Sequence, residues 1–192
     1  MIHETAIVAH DARVGPDPEI GPYTLVDVDG NPLFDPVSLG SACVIRSHSV
    51  VYRGTSLGAS TALGHGVLVR ENCTIGDRVS IGSHSVVEHT VRMGHDVRLH
   101  SNCFVPEESV LEDGAWLGPG VIVTNARYPN RPETKECLEG VHVGMGATIG
   151  AGVILMPGVK VGEGALIGAG AVVLEDVGSG QRVVGNPGRV LQ

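Results

Sequence analysis

The stretch Ile75-Gly76-Asp77-Arg78-Val79-Ser80-Ile81-Gly82-Ser83-His84-Ser85-Val86-Val87-Glu88-His89-Thr90-Val91-Arg92-Met93-Gly94-His95-Asp96-Val97-Arg98-Leu99 decides the fold. Every sixth residue in it, Ile75, Ile81, Val87, Met93 and Leu99, is aliphatic. The same count holds without exception from Leu39 to Val123 and from Val143 to Val173, and an earlier block marks Ile2, Val8, Val14, Ile20 and Val26. Two residues before each mark the side chain is nearly always small or β-branched, as at Cys43, Ser49, Thr55, Thr61, Val67, Cys73, Val79 and Ser85. Glycine often follows the mark, as at Gly58, Gly64, Gly76 and Gly82. A period of six fits neither a helix nor a hairpin. It fits a short strand whose alternate residues point inward, followed by a turn expected to use the positive φ that glycine tolerates.

Three such strands close a triangular coil of 18 residues, and coils stack about 4.8 Å apart through main-chain hydrogen bonds. Residues 18 apart therefore stand in columns. The fold class is all-β, a parallel β-helix, read as one three-sided solenoid over residues 1–192. Two segments interrupt the count. One near 27–38 adds seven residues and one near 124–142 adds roughly fourteen; residues 175–192 form a short C-terminal extension. Long excursions from a rigid scaffold are where recognition concentrates.

Composition agrees. The chain has 28 Gly but two Phe, three Tyr and one Trp, so an aliphatic core is expected. Cys43, Cys73 and Cys103 fall on different sides of the prism and read as small core fillers, not a disulfide. A formal charge of −8 without a Lys/Arg run argues against nucleic-acid binding, which relies on neutralising phosphates. No apolar stretch approaches the roughly 20 residues of a membrane span, and the opening MIHETAIVAHDA lacks a signal-peptide core, so the cytoplasm is expected.

Sorting turns by column separates three corners. The one after Leu57, Ile75, Met93 and Leu111 carries Gly58, Gly76, Asp77, Arg78, Asp96 and Asp113 and reads as a solvated edge. The one after Val51, Val69, Val87, Val105 and Val123 carries Tyr52, Arg70, Glu71, Glu88, His89, Pro106, Glu107, Thr124 and Asn125. The third stacks Gly64, Gly82, His100 and Gly118, with His48, Gly66, His84, Asn102 and Gly120 two residues on. The last two corners border one face, and their polar groups are expected to line a single groove. Glycines on either side of His100 leave room around its ring. Polar residues at a solvent-facing corner are also what a plain surface would show.

The repeat resembles the hexapeptide-repeat acyltransferase superfamily over nearly the whole chain, and the resemblance implies left-handed coils. The ending Val184-Gly185-Asn186-Pro187-Gly188-Arg189-Val190 is similar to the closing motif of coenzyme A-dependent members. The run from His100 to Glu107, with Gly118-Pro119-Gly120 and Thr124-Asn125-Ala126-Arg127-Tyr128-Pro129, resembles the subgroup that N-acetylates amino sugars on nucleoside diphosphates. Asn102 falls where that subgroup carries an active-site Asn, and Thr124 and Asn125 on its Thr-Asn pair. In O-acetyltransferases of this fold a catalytic His sits in or near the corresponding loop; here Arg127 and Tyr128 occupy that place, which favours an amine acceptor. Leu174-Glu175 stands where many relatives have Thr-Lys against the coenzyme.

The resemblance implies an acyl-CoA-dependent acetyltransferase with acetyl-CoA as co-substrate and no metal, acting on an amino-sugar nucleotide as a homotrimer with the coenzyme between subunits. His84 or His100 would take the amine proton, and Asn102 would orient the amine or polarise the thioester. Arg70, Glu88, Glu107, Thr124, Asn125 and Arg127 are the candidate acceptor contacts. Gly144, Gly150, Gly168 and Ala169 offer a smooth edge to pantetheine, with Arg189 suited to a phosphate. Three rivals remain. One is O-acetylation and another a non-catalytic scaffold. The third is a gamma-type carbonic anhydrase, whose paired His are imitated by His95 and His100, though Ala59 stands at its third; His48, His84 and His89 repeat the spacing out of register.

Overall fold

A computed structural model describes residues 1–27 and 33–191, and it is an all-β, three-sided left-handed parallel β-helix of about 10 turns. Two-residue strands stack into three walls. The first wall has nine strands, from Ile7–Val8 to Val172–Val173. The second has eight, from Arg13–Val14 to Lys160–Val161. The third has ten, beginning at Glu19–Ile20 and ending with the C-terminal strands Arg182–Val184 and Arg189–Val190. Registers follow the 18-residue step, as in Leu68 opposite Val86 and Ser80 opposite Arg98. Among the described residues no helix is long and apolar enough to cross a membrane.

The sixth-residue marks fill the prism. From Ile20 onward each is buried to 3 % exposure or less, whereas Ile2, in the first coil, is 46 % exposed. Nothing among the described residues stacks below that coil, so its inward side chains lack a neighbour on one side.

The small residues before the marks have a second task. Thr55 Oγ1 donates to the Arg70 carbonyl at 2.7 Å and accepts the Cys73 N–H at 3.2 Å, tying its coil to the next. Ser49 and Ser85 repeat both bonds. Cys43, Cys73 and Cys103 occupy the same kind of position, and each thiol donates to a carbonyl 15 residues on. All three are free and buried, and burial pushes the Cys73 thiol up to about 12, so these are hydrogen-bonding core residues rather than reactive thiols.

One expectation about the turns is overturned. Glycines directly after the marks do not hold the positive φ; that falls two residues later, at Ser60, Gly66, Arg78 and His84 among others. The glycine after the mark is needed for close approach: a Cβ on Gly64 would lie 2.5 Å from the Ser83 backbone N of the next coil. The left-handed position tolerates other residues, with Asn102 at φ 61° and His84 at φ 59°.

Both interruptions leave the prism at the corner between the first and second walls. Across the earlier one Leu25 pairs with Val50, and across the later one Ile122 pairs with Ile154, so seven and fourteen residues are added to the 18-residue step. Residues 28–32 of the earlier segment lie outside the described residues. Its near end is fixed by buried Asp27, whose Oδ2 accepts the Val37 N–H at 3.1 Å and meets Arg53 Nη1 at 3.1 Å. The C-terminal extension does more than trail away. Val177 bridges to Val161, Leu166 pairs with Arg182, and the closing strand turns back antiparallel, Val183 to Val190.

Candidate functional site

The corner between the first and second walls is an ion-paired ridge. Arg53 reaches Asp11 at 2.7 Å as well as Asp27. One coil on, Arg70 Nε meets Glu71 Oε2 at 2.8 Å, and its Nη1 meets Glu88 Oε2 at 3.3 Å. The Arg70 hydrogen bond holds the Glu71 carboxyl below its ordinary 4.5. Arg70 and Glu88, both read as acceptor contacts, thus spend charge on each other. Next in the column, His89 Nε2 lies 2.8 Å from Glu107 Oε2. Above them Asn125 Nδ2 donates to the Glu107 carbonyl at 3.4 Å, and Thr124 Oγ1 donates to the Leu155 carbonyl at 3.0 Å.

The long loop opens from this point. Arg127 Nη2 donates to the Pro157 carbonyl at 3.4 Å, and the Arg131 guanidinium stacks 4.1 Å from the Tyr128 ring centroid. Thr134 Oγ1 donates to the Tyr128 carbonyl at 2.7 Å, ahead of a short 3-10 turn at Thr134–Glu136. Arg127, Tyr128, Arg131, Cys137, Glu139 and Pro157 are among the residues around a cavity of about 280 Å³ beneath the loop.

His84, His100 and Asn102 stand together at the corner between the third and first walls. His84 and Asn102 are exposed, one coil apart. The His100 ring does not stand in open space as expected: it meets the Trp116 ring edge-on, centroids 4.7 Å apart, because Trp116 is its neighbour on the third wall. Gly150, Gly168 and Ala169 continue this corner. Gly144 does not; it follows Val143 of the second wall and lies at the opposite corner, packed so that a Cβ would come 2.8 Å from the Glu163 N. Arg189 lies in the C-terminal strand pair and beside a cavity of about 340 Å³ that Leu174 and Glu175 also line.

The two polar corners do not meet within one chain. They stand at opposite edges of the first wall, roughly 16 Å apart for the five residues from Asn102 to Glu107 at about 3.3 Å each. The proposed metal trios are also dispersed: His95 and His100 are at different corners, and His89 is across the wall from His48 and His84. Sequence reasoning missed the pairing of His89 with Glu107, although their numbers differ by the 18 of one coil.

A family profile described as bacterial transferase hexapeptide (six repeats) matches residues 54–89 and 140–175. Both matched segments carry the hexapeptide pattern of that family. Among solved structures, this hexapeptide-repeat chain is similar to an Arabidopsis UDP-N-acetylglucosamine acyltransferase, with 22% identity, TM-score 0.67, and coverage of 100% of this chain and 73% of that one. It is also similar to PerB from Caulobacter crescentus, solved with CoA and GDP-perosamine, at 25% identity and TM-score 0.52; the match covers 79% of this chain and 58% of PerB, under two thirds of that chain's length. A maltose O-acetyltransferase from Clostridium difficile 630 matches at 23% identity and TM-score 0.53, covering 72% of this chain and 68% of that one. Comparison of the sequence with curated proteins found no match.

Proposed function

We propose that this hexapeptide-repeat protein transfers an acetyl group from acetyl-CoA to an amine on a nucleotide-linked sugar, working as a homotrimer in the cytoplasm. The observation that carries the reading is the first wall. Every outward side chain along it is apolar, from Ile7 through Leu68, Phe104 and Ile122 to Val172, whereas the second wall presents Arg13, Thr74, Arg92, His142 and Lys160. Phe104 and Ile122 are 38% and 44% exposed in the single chain. A continuous apolar stripe of this kind marks a protein interface. Three copies joined through it would set the ion-paired corner of one against the Asn102 corner of the next, and the dispersed groups would form one groove.

Pantetheine would lie along Gly150, Gly168 and Ala169, with Arg189 toward a phosphate. His84, His100 and Asn102 would flank the thioester. Glu107, Thr124, Asn125 and Arg127 would hold the acceptor near the loop. Orientation of amine and thioester, with N–H donors directed at the developing oxyanion, supplies most of the rate in such a reaction. PerB, with CoA and a nucleotide sugar in one crystal, supports this pairing of ligands. The free thiols suit a reducing compartment.

The test has two stages. Acetyl-CoA should raise the melting temperature, because a ligand that binds the native state stabilises it. CoA release should then appear with at least one member of a panel of amino-sugar nucleotides. No shift with any acyl-CoA would end the reading; release with hydroxyl acceptors alone would convert it to O-acetylation.

A further inference from the structure

The column Arg53, Glu71, His89, Glu107, Asn125 runs up the ion-paired corner. Arg53 is committed to two aspartates, and Arg70 engages Glu71 and Glu88. That leaves His89 and Glu107 as a pair of their own, 2.8 Å apart, directly under the departure of the long loop.

The imidazole is asymmetric. Its Nδ1 is buried with no hydrogen-bond partner among the described residues, and its Nε2 faces a carboxylate. An ionised carboxylate only accepts, so the proton between them belongs on Nε2. His89 thus sets Nε2 against the Glu107 carboxylate, and its remaining nitrogen is closed to a substrate. Glu107 keeps Oε1, for which no partner is found among the described residues, on a side chain that is 26% exposed.

Resting on the acetyl-transfer reading, we propose that Glu107, aimed by His89, receives the acceptor's ammonium and takes its proton. Glu107 is then a catalytic residue and His89 a positioning residue. The carboxylate pairs with R–NH3⁺ and removes one proton, leaving R–NH2. The nitrogen lone pair forms the C–N bond to the thioester carbonyl carbon, and collapse of the tetrahedral intermediate breaks the C–S bond. The departing thiolate takes the second nitrogen proton, giving the amide and CoA–SH, and Glu107 returns its proton to water. A hydroxyl acceptor fits poorly: an alcohol holds its proton far more tightly than an ammonium does, and a carboxylate is too weak a base to draw it off.

The probes are UDP-glucosamine, which carries a free amine, and UDP-glucose, its hydroxyl counterpart, with affinities measured by calorimetry. Wild type should prefer the amine by about tenfold or more, the scale of one charge-assisted hydrogen bond. E107Q should bring the preference to about twofold. H89L should lower it similarly, and H89Q, which keeps an N–H donor, should restore most of it. A melting-temperature rise with acetyl-CoA in each variant shows that fold and coenzyme site survive. An unchanged preference in E107Q, equal binding of the two probes by wild type, or binding of neither alongside normal acetyl-CoA binding overturns the assignment while the coenzyme reading stands. Failure of wild type to bind acetyl-CoA sinks the function itself.

Discussion

Asn102 occupies a turn position with φ 61°, where glycine is at least as comfortable as asparagine. That makes Asn102→Gly a cleaner probe than Asn102→Ala, since it removes the amide without adding backbone strain. Acetyl transfer should fall at least about tenfold, the scale of losing one oriented donor, with the melting temperature unchanged or slightly higher. Full activity in the glycine variant would move the thioester away from this corner. Gly64→Ala is the converse case. Its Cβ would press on the Ser83 backbone, which cannot swing aside, so a loss of about 1–3 kcal/mol is expected in denaturant titration. The sequence count identified Asn102 and its column directly, because columns depend on spacing alone. The use of Gly64 was misjudged because spacing says nothing of φ, and two reasons for glycine look alike in a sequence. His89 was legible in principle: adding 18 leads to Glu107, but attention to metal-like spacings led elsewhere.

Individual turns carry polar bonds that no hydropathy pattern reveals. The buried hydroxyls of Ser49, Thr55 and Ser85 each serve two backbone groups, whereas Ser109 Oγ is buried without a partner among the described residues. Ser109 lies just where the long loop interrupts the next coil, so the regular acceptor is lost at the loop exit. At the earlier interruption, Arg53 binds Asp11, Asp27 and the Phe34 carbonyl together. Its hydrogen bond holds the Asp11 carboxyl below its ordinary 3.8. A lowered carboxyl contributes stability that is present above the ordinary value and lost as pH falls through the lowered one. Acid unfolding of the wild type should therefore steepen below about pH 4, and Arg53→Gln should be less stable at neutral pH yet lose less on acidification. Equal acid sensitivity in both proteins, followed by circular dichroism, would count against Arg53 as the clamp. This clamp was invisible in sequence, since Asp11, Asp27 and Arg53 belong to no common column.

At the scale of the whole molecule, the six-residue count carried nearly all of the architecture. It gave the three walls, the register and the lengths added by both interruptions, because a solenoid is built from contacts at one fixed separation. It did not give the way two corners could share a groove, since that depends on neighbouring copies. Ile122→Glu tests this. The side chain faces outward, so the monomer should fold, but sedimentation should show dissociation and acetyl transfer should disappear. Arg92→Glu, on the polar second wall, should leave the assembly intact. A trimer that survives Ile122→Glu would place the interface on another wall.

The two inserted segments and the C-terminal departure after Val173 all branch from the same ridge, and the strand register resumes in phase beyond each insertion. Added length at this ridge therefore leaves the strand register of the walls unchanged. Replacing the segment spanning 124–140 could then bring a new acceptor to this ridge while the strand pairing on either side is kept.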